Sequence, residues 1–266
     1  LVSIEDPQAK WAKAVEVAQL AEELGFDSLW VYDHFHNVPV PAHETMFECW
    51  TTLAAISQVT SRIKLGQMVG CAPYRNPGLL AQMAATVDAA SGGRVVVGVG
   101  AGWDEREYTE FGYADALPPI RERLAALERT LQVLRERQRS PILVGGGGEK
   151  VLLRLVAQYA DIWNNLGMAH AALPAKLAVL RKHCERLGRD PGEIEVSQQT
   201  IGAISLSRDE ARRPVRAAAR QEHVHRLARL SPPAGPARQL RERLRRRAAV
   251  RARHPRPQRL AIRHPP

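Results

Sequence analysis

A regular alternation of helix-patterned stretches with short apolar runs constrains this chain more than any other feature. Residues 7–24 place Trp11, Ala14, Val15, Ala18, Ala21 and Leu24 three and four positions apart, the spacing of one helix face, and Gly25 ends the pattern. Residues 28–32 then read as a short buried strand running into the polar pair Asp33 and His34. The cycle repeats: helix over 47–59, strand over 63–69, helix over 77–90 opened by a proline, strand over 94–100 and helix over 118–137. Strand over 141–144, helix over 149–159, strand over 161–164, helix over 172–187 and strand over 194–199 complete it. This order requires parallel strands joined by crossovers, in an open doubly wound sheet or a closed barrel, and periodicity does not choose between them. In a barrel, Asp33, His34, Gly70, Gly102 and Asn164 converge on the carboxyl ends of the strands, where barrels carry chemistry.

A length of 266 residues with 45% hydrophobic composition is enough for one large α/β domain with a sizeable core. Residues 1–11 mix acids, amides and lysines, and no run of 18 apolar residues occurs, so the expectation is a soluble, unexported protein with no membrane partner. Cys49, Cys71 and Cys184 are widely spaced, which suggests neither a disulfide framework nor a zinc site and fits a reducing cytoplasm. The net charge of +10 is unevenly placed. Residues 1–200 hold 20 basic and 24 acidic residues, a net of −4, whereas residues 201–266 hold 18 arginines, no lysine and 4 acids, a net of +14. We therefore read a barrel domain over 1–210 and an Arg/Pro-rich tail over 211–266, of the composition that a GC-rich gene yields in a shifted frame. A nucleic-acid-binding arm is the competing account of the tail, and an inactive relic is a third; both are disfavoured.

The tetraglycine Gly145, Gly146, Gly147 and Gly148 lies between a strand and a helix, so its backbone N–H groups and the helix N-terminus suit a phosphate. No Lys-Ser or Lys-Thr pair follows it, which separates it from a Walker loop. Gly98–Trp103 leaves a strand with small residues beside an aromatic, a place for a planar ring against backbone. His34 is the best proton-exchange candidate, because histidine titrates nearest neutral pH and this one ends a strand. His36 and His43 read as loop residues, and no third ligand at metal spacing accompanies His34, so no metal is assigned. Gly-x-Ser-x-Gly is absent, Cys71 reads as a packed residue, and Trp11, Trp30, Trp50 and Trp163 read as packing residues.

Taken in order, Glu23–Val31 with Asp33, His34 and Phe35, then Tyr74–Pro77, Ala84–Asp88, Ser91–Arg94, Gly98–Trp103 with Glu107, Pro141–Lys150 and Ala160–Asn164 resemble the luciferase-like monooxygenases. The resemblance runs over residues 10–205 and is nearest to the F420-dependent oxidoreductase branch. It implies a TIM (β/α)8-type barrel that binds coenzyme F420, or alternatively FMN, and transfers a hydride to or from a small organic substrate. By the same resemblance Asp33 and His34 stand over the ring, with His34 as proton donor or acceptor. Met68, Val69 and Gly70 form a bulge behind it, sometimes through a non-prolyl cis peptide, Gly100, Ala101 and Gly102 border it, and Gly146–Gly148 hold its phosphate. Lys150 and Arg154 are candidates for the acidic tail of F420. Trp103 stands where the sugar-phosphate dehydrogenases of the family carry glutamate, which argues against a sugar-phosphate substrate. The family's longer segment between Arg139 and Pro141 is missing, residues 1–4 leave only a truncated first strand, and the tail lacks an apolar closing strand. Barrels of this kind are commonly dimers, so a homodimer is allowed for.

Overall fold

The computed structural model describes residues 6–37, 45–166, 171–199 and Ser207. The chain divides into units 1–202 and 203–266, and the elements below belong to the first. The tail 211–266, residues 1–4 and His43 lie outside the described residues, and with them the expectations of a truncated first strand and an incomplete closure.

Helix α1 (Pro7–Leu24) starts where the Asp6 side chain accepts from the Gln8 N–H at 2.9 Å and stops at Gly25, whose φ of 80° no branched residue would adopt cheaply. Helix α3 (Pro77–Ser91) repeats the device with Asn76 as cap and Gly92 as stop. Between them lies α2 (Cys49–Ser57), capped by the Glu48 carboxylate on the Thr51 N–H at 2.7 Å. The later helices are α4 (Glu105–Glu110), α5 (Ile120–Arg137), α6 (Leu152–Tyr159) and α7 (Leu173–Leu187). Helix α4 was not anticipated: at six residues it is too short to show a period.

The strands are β1 (Ser28–Val31), β2 (Lys64–Gln67), β3 (Gly70–Cys71), β4 (Val95–Gly100), β5 (Ile142–Gly145), β6 (Ile162–Asn165) and β7 (Glu195–Gln198). All pairings are parallel, in the order β1-β2-β4-β5-β6-β7, with β3 also on β4. A doubly wound sheet reverses its strand order at a switch point, and this order never reverses. Its course is that of a (β/α) barrel. No described helix is long and apolar enough to cross a membrane.

Val95, Val97 and Val99 of β4 pack outward with Leu65, Ile142, Val144, Leu131, Leu134, Leu153, Val156 and the fully buried Trp163 in one core between sheet and helices. Each such leucine contributes about 1.5–3 kcal/mol by leaving water. The alternate residues, Gly98 and Gly100 on β4 and Gly145 on β5, therefore face the other side of the sheet. The stretch 64–71 runs along β4 in two pieces, with Gly66 opposite Val96 but Gly70 opposite Val99, so it takes one residue more than its partner. The bulge falls at Met68–Val69, a cis peptide.

Candidate active site

The bulge turns the Val69 side chain onto the glycines of the neighbouring strands. A Cβ at Gly100 would lie 2.8 Å from Val69 Cγ2, and one at Gly145 would lie 2.8 Å from Val69 Cγ1. At Gly98 a Cβ would meet the Gln67 carbonyl oxygen at 1.9 Å, which leaves no room for any side chain. Gly98, Gly100 and Gly145 thus form a bare floor on which Val69 rests. At its rim Gly102 has φ 75°, its absent Cβ would strike Cys71 Sγ and Tyr108 Oη, and its carbonyl accepts from Arg123. Ala101 and Met68 are half-buried.

Beyond β5 comes the glycine loop. Gly145 itself is the last residue of β5, paired with Asn164, so the loop proper is Gly146–Gly148. Asn164 is buried, donates to Ser197 Oγ at 2.9 Å and accepts from the Gly146 N–H at 3.1 Å, while Trp163 Nε1 donates to the Gly146 carbonyl at 2.8 Å. Helix α6 begins three residues later than the periodicity suggests, and the N–H groups of Gly147, Gly148, Glu149 and Lys150 donate to no partner among the described residues. Open N–H groups ahead of a helix are the donors that a bound anion uses.

His34 follows β1. Its Nδ1 lies 3.0 Å from both oxygens of Glu107, a residue of α4 that is 1% exposed. The same carboxylate accepts from the Phe35 N–H at 2.7 Å, the His36 N–H at 3.3 Å and the Tyr74 hydroxyl at 2.8 Å. Burial pushes the Glu107 carboxyl up, but the hydrogen bonds from His34 and Tyr74, the His34 charge and the Phe35 N–H outweigh it, and the group sits below the ordinary carboxylate range. The His34 ring stands edge-on to Trp103 at 5.5 Å and to Tyr32 at 6.1 Å, both more than half exposed.

Asp33 points the other way. It is 4% exposed, both its oxygens accept from the Arg75 guanidinium at 2.6 and 2.8 Å, and the Cys71 N–H and the Cys49 thiol complete its shell at 3.1 Å. The Cys71 N–H follows Gly70, so Asp33 also fixes the end of the bulge. Cys71 is packed against Tyr108, 3.4 Å from its hydroxyl, and burial pushes its thiol up to about 12.

Two groups of candidate ligand atoms that no local spacing reveals come within 4.8 Å of one another: His34, Asp104 and Glu107, and Asp33, Glu48 and Cys49. In the second, Arg75 already supplies the positive charge, donating to Glu48 at 2.6 Å as well as to Asp33. In the first, the Glu107 oxygens are filled by four donors. In the sequence Glu107 stands within a motif without a visible role, because its partners lie 33 to 73 residues away. The remaining histidine of the first loop, His36, meets Glu110 at 2.6 Å. Arg154 pairs with Glu128 across α5 and α6 at 3.1 Å, and Lys150 is exposed in the turn before α6. The cation that reaches the glycine loop is instead Lys176 of α7, which contacts the Gly147 carbonyl.

Fold and site together describe a (β/α) barrel whose strand ends carry glycines packed under Val69, a loop of open N–H groups and a carboxylate-held histidine. The family model described as luciferase-like monooxygenase matches residues 2–259, and the chain belongs to that family. It is 37% identical over 126 residues to an F420-dependent glucose-6-phosphate dehydrogenase of Amycolatopsis mediterranei, a match covering 46% of this chain and 36% of that protein. The chain thus spans about a third of the length of the curated dehydrogenases it matches. Among solved structures it superimposes on an F420-dependent secondary alcohol dehydrogenase in complex with an F420-acetone adduct, with a TM-score of 0.66 and 23% identity over 78% of this chain and 69% of that one. It also superimposes on the oxygenating constituent of 3,6-diketocamphane monooxygenase of Pseudomonas putida in complex with FMN, with a TM-score of 0.63 and 16% identity over 84% and 71%.

Proposed function

We propose that this chain is an F420-dependent oxidoreductase acting on a small organic substrate. The observation that carries the reading is that Gly145, on which Val69 packs, leads directly into the open N–H groups of Gly147–Lys150, since a planar ring against Val69 with a phosphate-bearing arm needs both. The residues present fit such a cofactor: Val69, half-buried over the glycines of the neighbouring strands, would be the surface that a ring meets, and the N–H groups of Gly147–Lys150 have no partner among the described residues. Val69, Gly100, Ala101 and Gly102 would hold the ring and Gly146–Gly148 the phosphate, with Met68, Gly70 and Asn164 supporting them from the strand ends. Bound there, a deazaflavin supplies the donor or acceptor of a hydride.

His34 handles the proton that accompanies the hydride. Glu107 accepts from Nδ1, which leaves Nε2 as the nitrogen that takes or gives a proton at the substrate. Asp33, closed off by Arg75, is a positioning residue in this reading: it fixes the turn after β1 on one side and the bulge on the other. The exposed faces of Trp103 and Tyr32 flank the substrate position. The F420 assignment rests on the relatives of greater identity, and FMN shares the ring and the phosphate and is the alternative. The test is fluorescence titration of the protein with F420 and with FMN, followed by turnover in His34→Ala. Tighter binding of F420, with binding kept and turnover lost in the variant, is the expected result. Tighter binding of FMN transfers the proposal to a flavin enzyme, and binding of neither rejects it.

A further inference from the structure

Exposed apolar side chains follow the carboxyl ends of three strands: Tyr32 after β1, Trp103 after β4 and Leu166 after β6, at 53%, 59% and 46% exposure. Two of them stand beside His34, with ring centroids 6.1 Å from it for Tyr32 and 5.5 Å for Trp103. The backbone on either side of Trp103 is tied down. Arg123 holds the Gly102 carbonyl, and the Asp104 side chain caps α4 by accepting from the Arg106 N–H at 3.1 Å. A large indole kept in water on a braced turn, next to a histidine held by a carboxylate, is an apolar surface suited to a ligand. The charges around it limit what that ligand is. His34, Asp104 and Glu107 bring ligand atoms within 4.8 Å of one another, and both acids are buried. The guanidinium groups that touch these residues and their neighbours are already engaged: Arg75 with Asp33 and Glu48, Arg106 with Asp104, and Arg123 with the carbonyls of Gly102 and Pro118. An anionic group brought to the histidine therefore meets two acids, and none of these three cations is free to receive it.

Resting on the cofactor reading above, we propose that the substrate of this site is an uncharged compound with an apolar, ring-sized body, and that Trp103, with Tyr32, sets this preference by covering that body. Three small probes separate body from charge. Acetophenone and acetone share a carbonyl and differ in the ring, whereas acetophenone and benzoate share the ring and differ in charge. We would titrate each into the full chain loaded with F420, by ligand-observed NMR, and repeat this with Trp103→Ala and Trp103→Phe, using circular dichroism as a check on folding. Each methylene-sized group taken out of water strengthens binding about fourfold. In the parent, acetophenone is expected to bind at least about tenfold more tightly than either acetone or benzoate. Trp103→Ala should weaken acetophenone about tenfold and leave acetone and F420 unchanged, while Trp103→Phe keeps most of the preference. Benzoate binding as tightly as acetophenone overturns the proposal, and so does equal weakening of acetophenone and acetone in Trp103→Ala. A loss of F420 affinity in that variant assigns the indole to the cofactor and overturns it as well. All three results leave the cofactor reading standing, and the ranking in the parent decides the matter if a variant fails to fold. A parent chain that binds neither F420 nor FMN overturns both.

Discussion

At the scale of single residues, the carboxylates around the site divide by what neutralises them. Asp33 is buried, and Arg75, itself 11% exposed, brings two donors to it. Removing one member of such a buried pair strands the other. Arg75→Met is therefore expected to cost about 3–5 kcal/mol in urea denaturation, more than any surface arginine of the described helices. Glu107 is different, because it serves His34: Glu107→Gln still accepts from the Phe35 N–H but no longer holds the His34 ring with a carboxylate, and turnover should fall about a hundredfold with cofactor binding kept. His34 was legible in the sequence because a polar residue closing an apolar strand stands out locally. Glu107 was not, since only folding brings α4 back over the end of β1; a buried acid beside Tyr108 in a short polar helix was its one local trace.

At the scale of elements, the joints matter as much as the strands. Glu22, in the last turn of α1, accepts from the N–H groups of Ser61, Arg62 and Ile63 at 2.9, 2.6 and 2.9 Å and so fixes the entry into β2. Desolvation pushes its carboxyl up, but these three donors outweigh it and hold the group at about 2 instead of 4.5. A folded-state value below the unfolded one means stability that is complete above pH 4.5 and lost as the pH falls through about 2. Thermal midpoints of the parent and Glu22→Gln should thus differ most above pH 4.5 and converge toward pH 2. Helices that end at a glycine stop, α1, α3 and α7, are where expected and observed bounds agree within a residue. The expected single strand over 63–69 is in fact β2 and β3 with a bulge between, because pairing to β4 sets the register and no local pattern encodes it.

At the scale of the whole molecule, the choice between barrel and open sheet lay in which strands neighbour which, a non-local fact that periodicity cannot carry. The resemblance to a family supplied it. The cofactor is expected to act on the whole fold as well: a ligand at a hundred times its Kd adds about 2.7 kcal/mol of stability, so F420 should raise the denaturation midpoint of the parent and of His34→Ala alike. The arginine-rich tail is a proposal of another order, and resequencing the gene around Asp209–Pro214 tests it, since a frame continuous with close relatives would dismiss the shifted-frame account.

The floor of the site also says how such a chain can be remodelled. At Gly98 the obstacle to a side chain is the peptide backbone, and a protein engineer has nothing to trade against it. At Gly100 and Gly145 the obstacle is two methyl groups of Val69. A methyl is therefore a movable part here: Gly145→Ala should lose cofactor affinity and stability, and Val69→Ala added to it should restore much of both, while no change at Val69 rescues Gly98→Ala. In this fold, carbon atoms can pass between Val69 and the glycines at 100 and 145, while Gly98 stays fixed by the backbone opposite it.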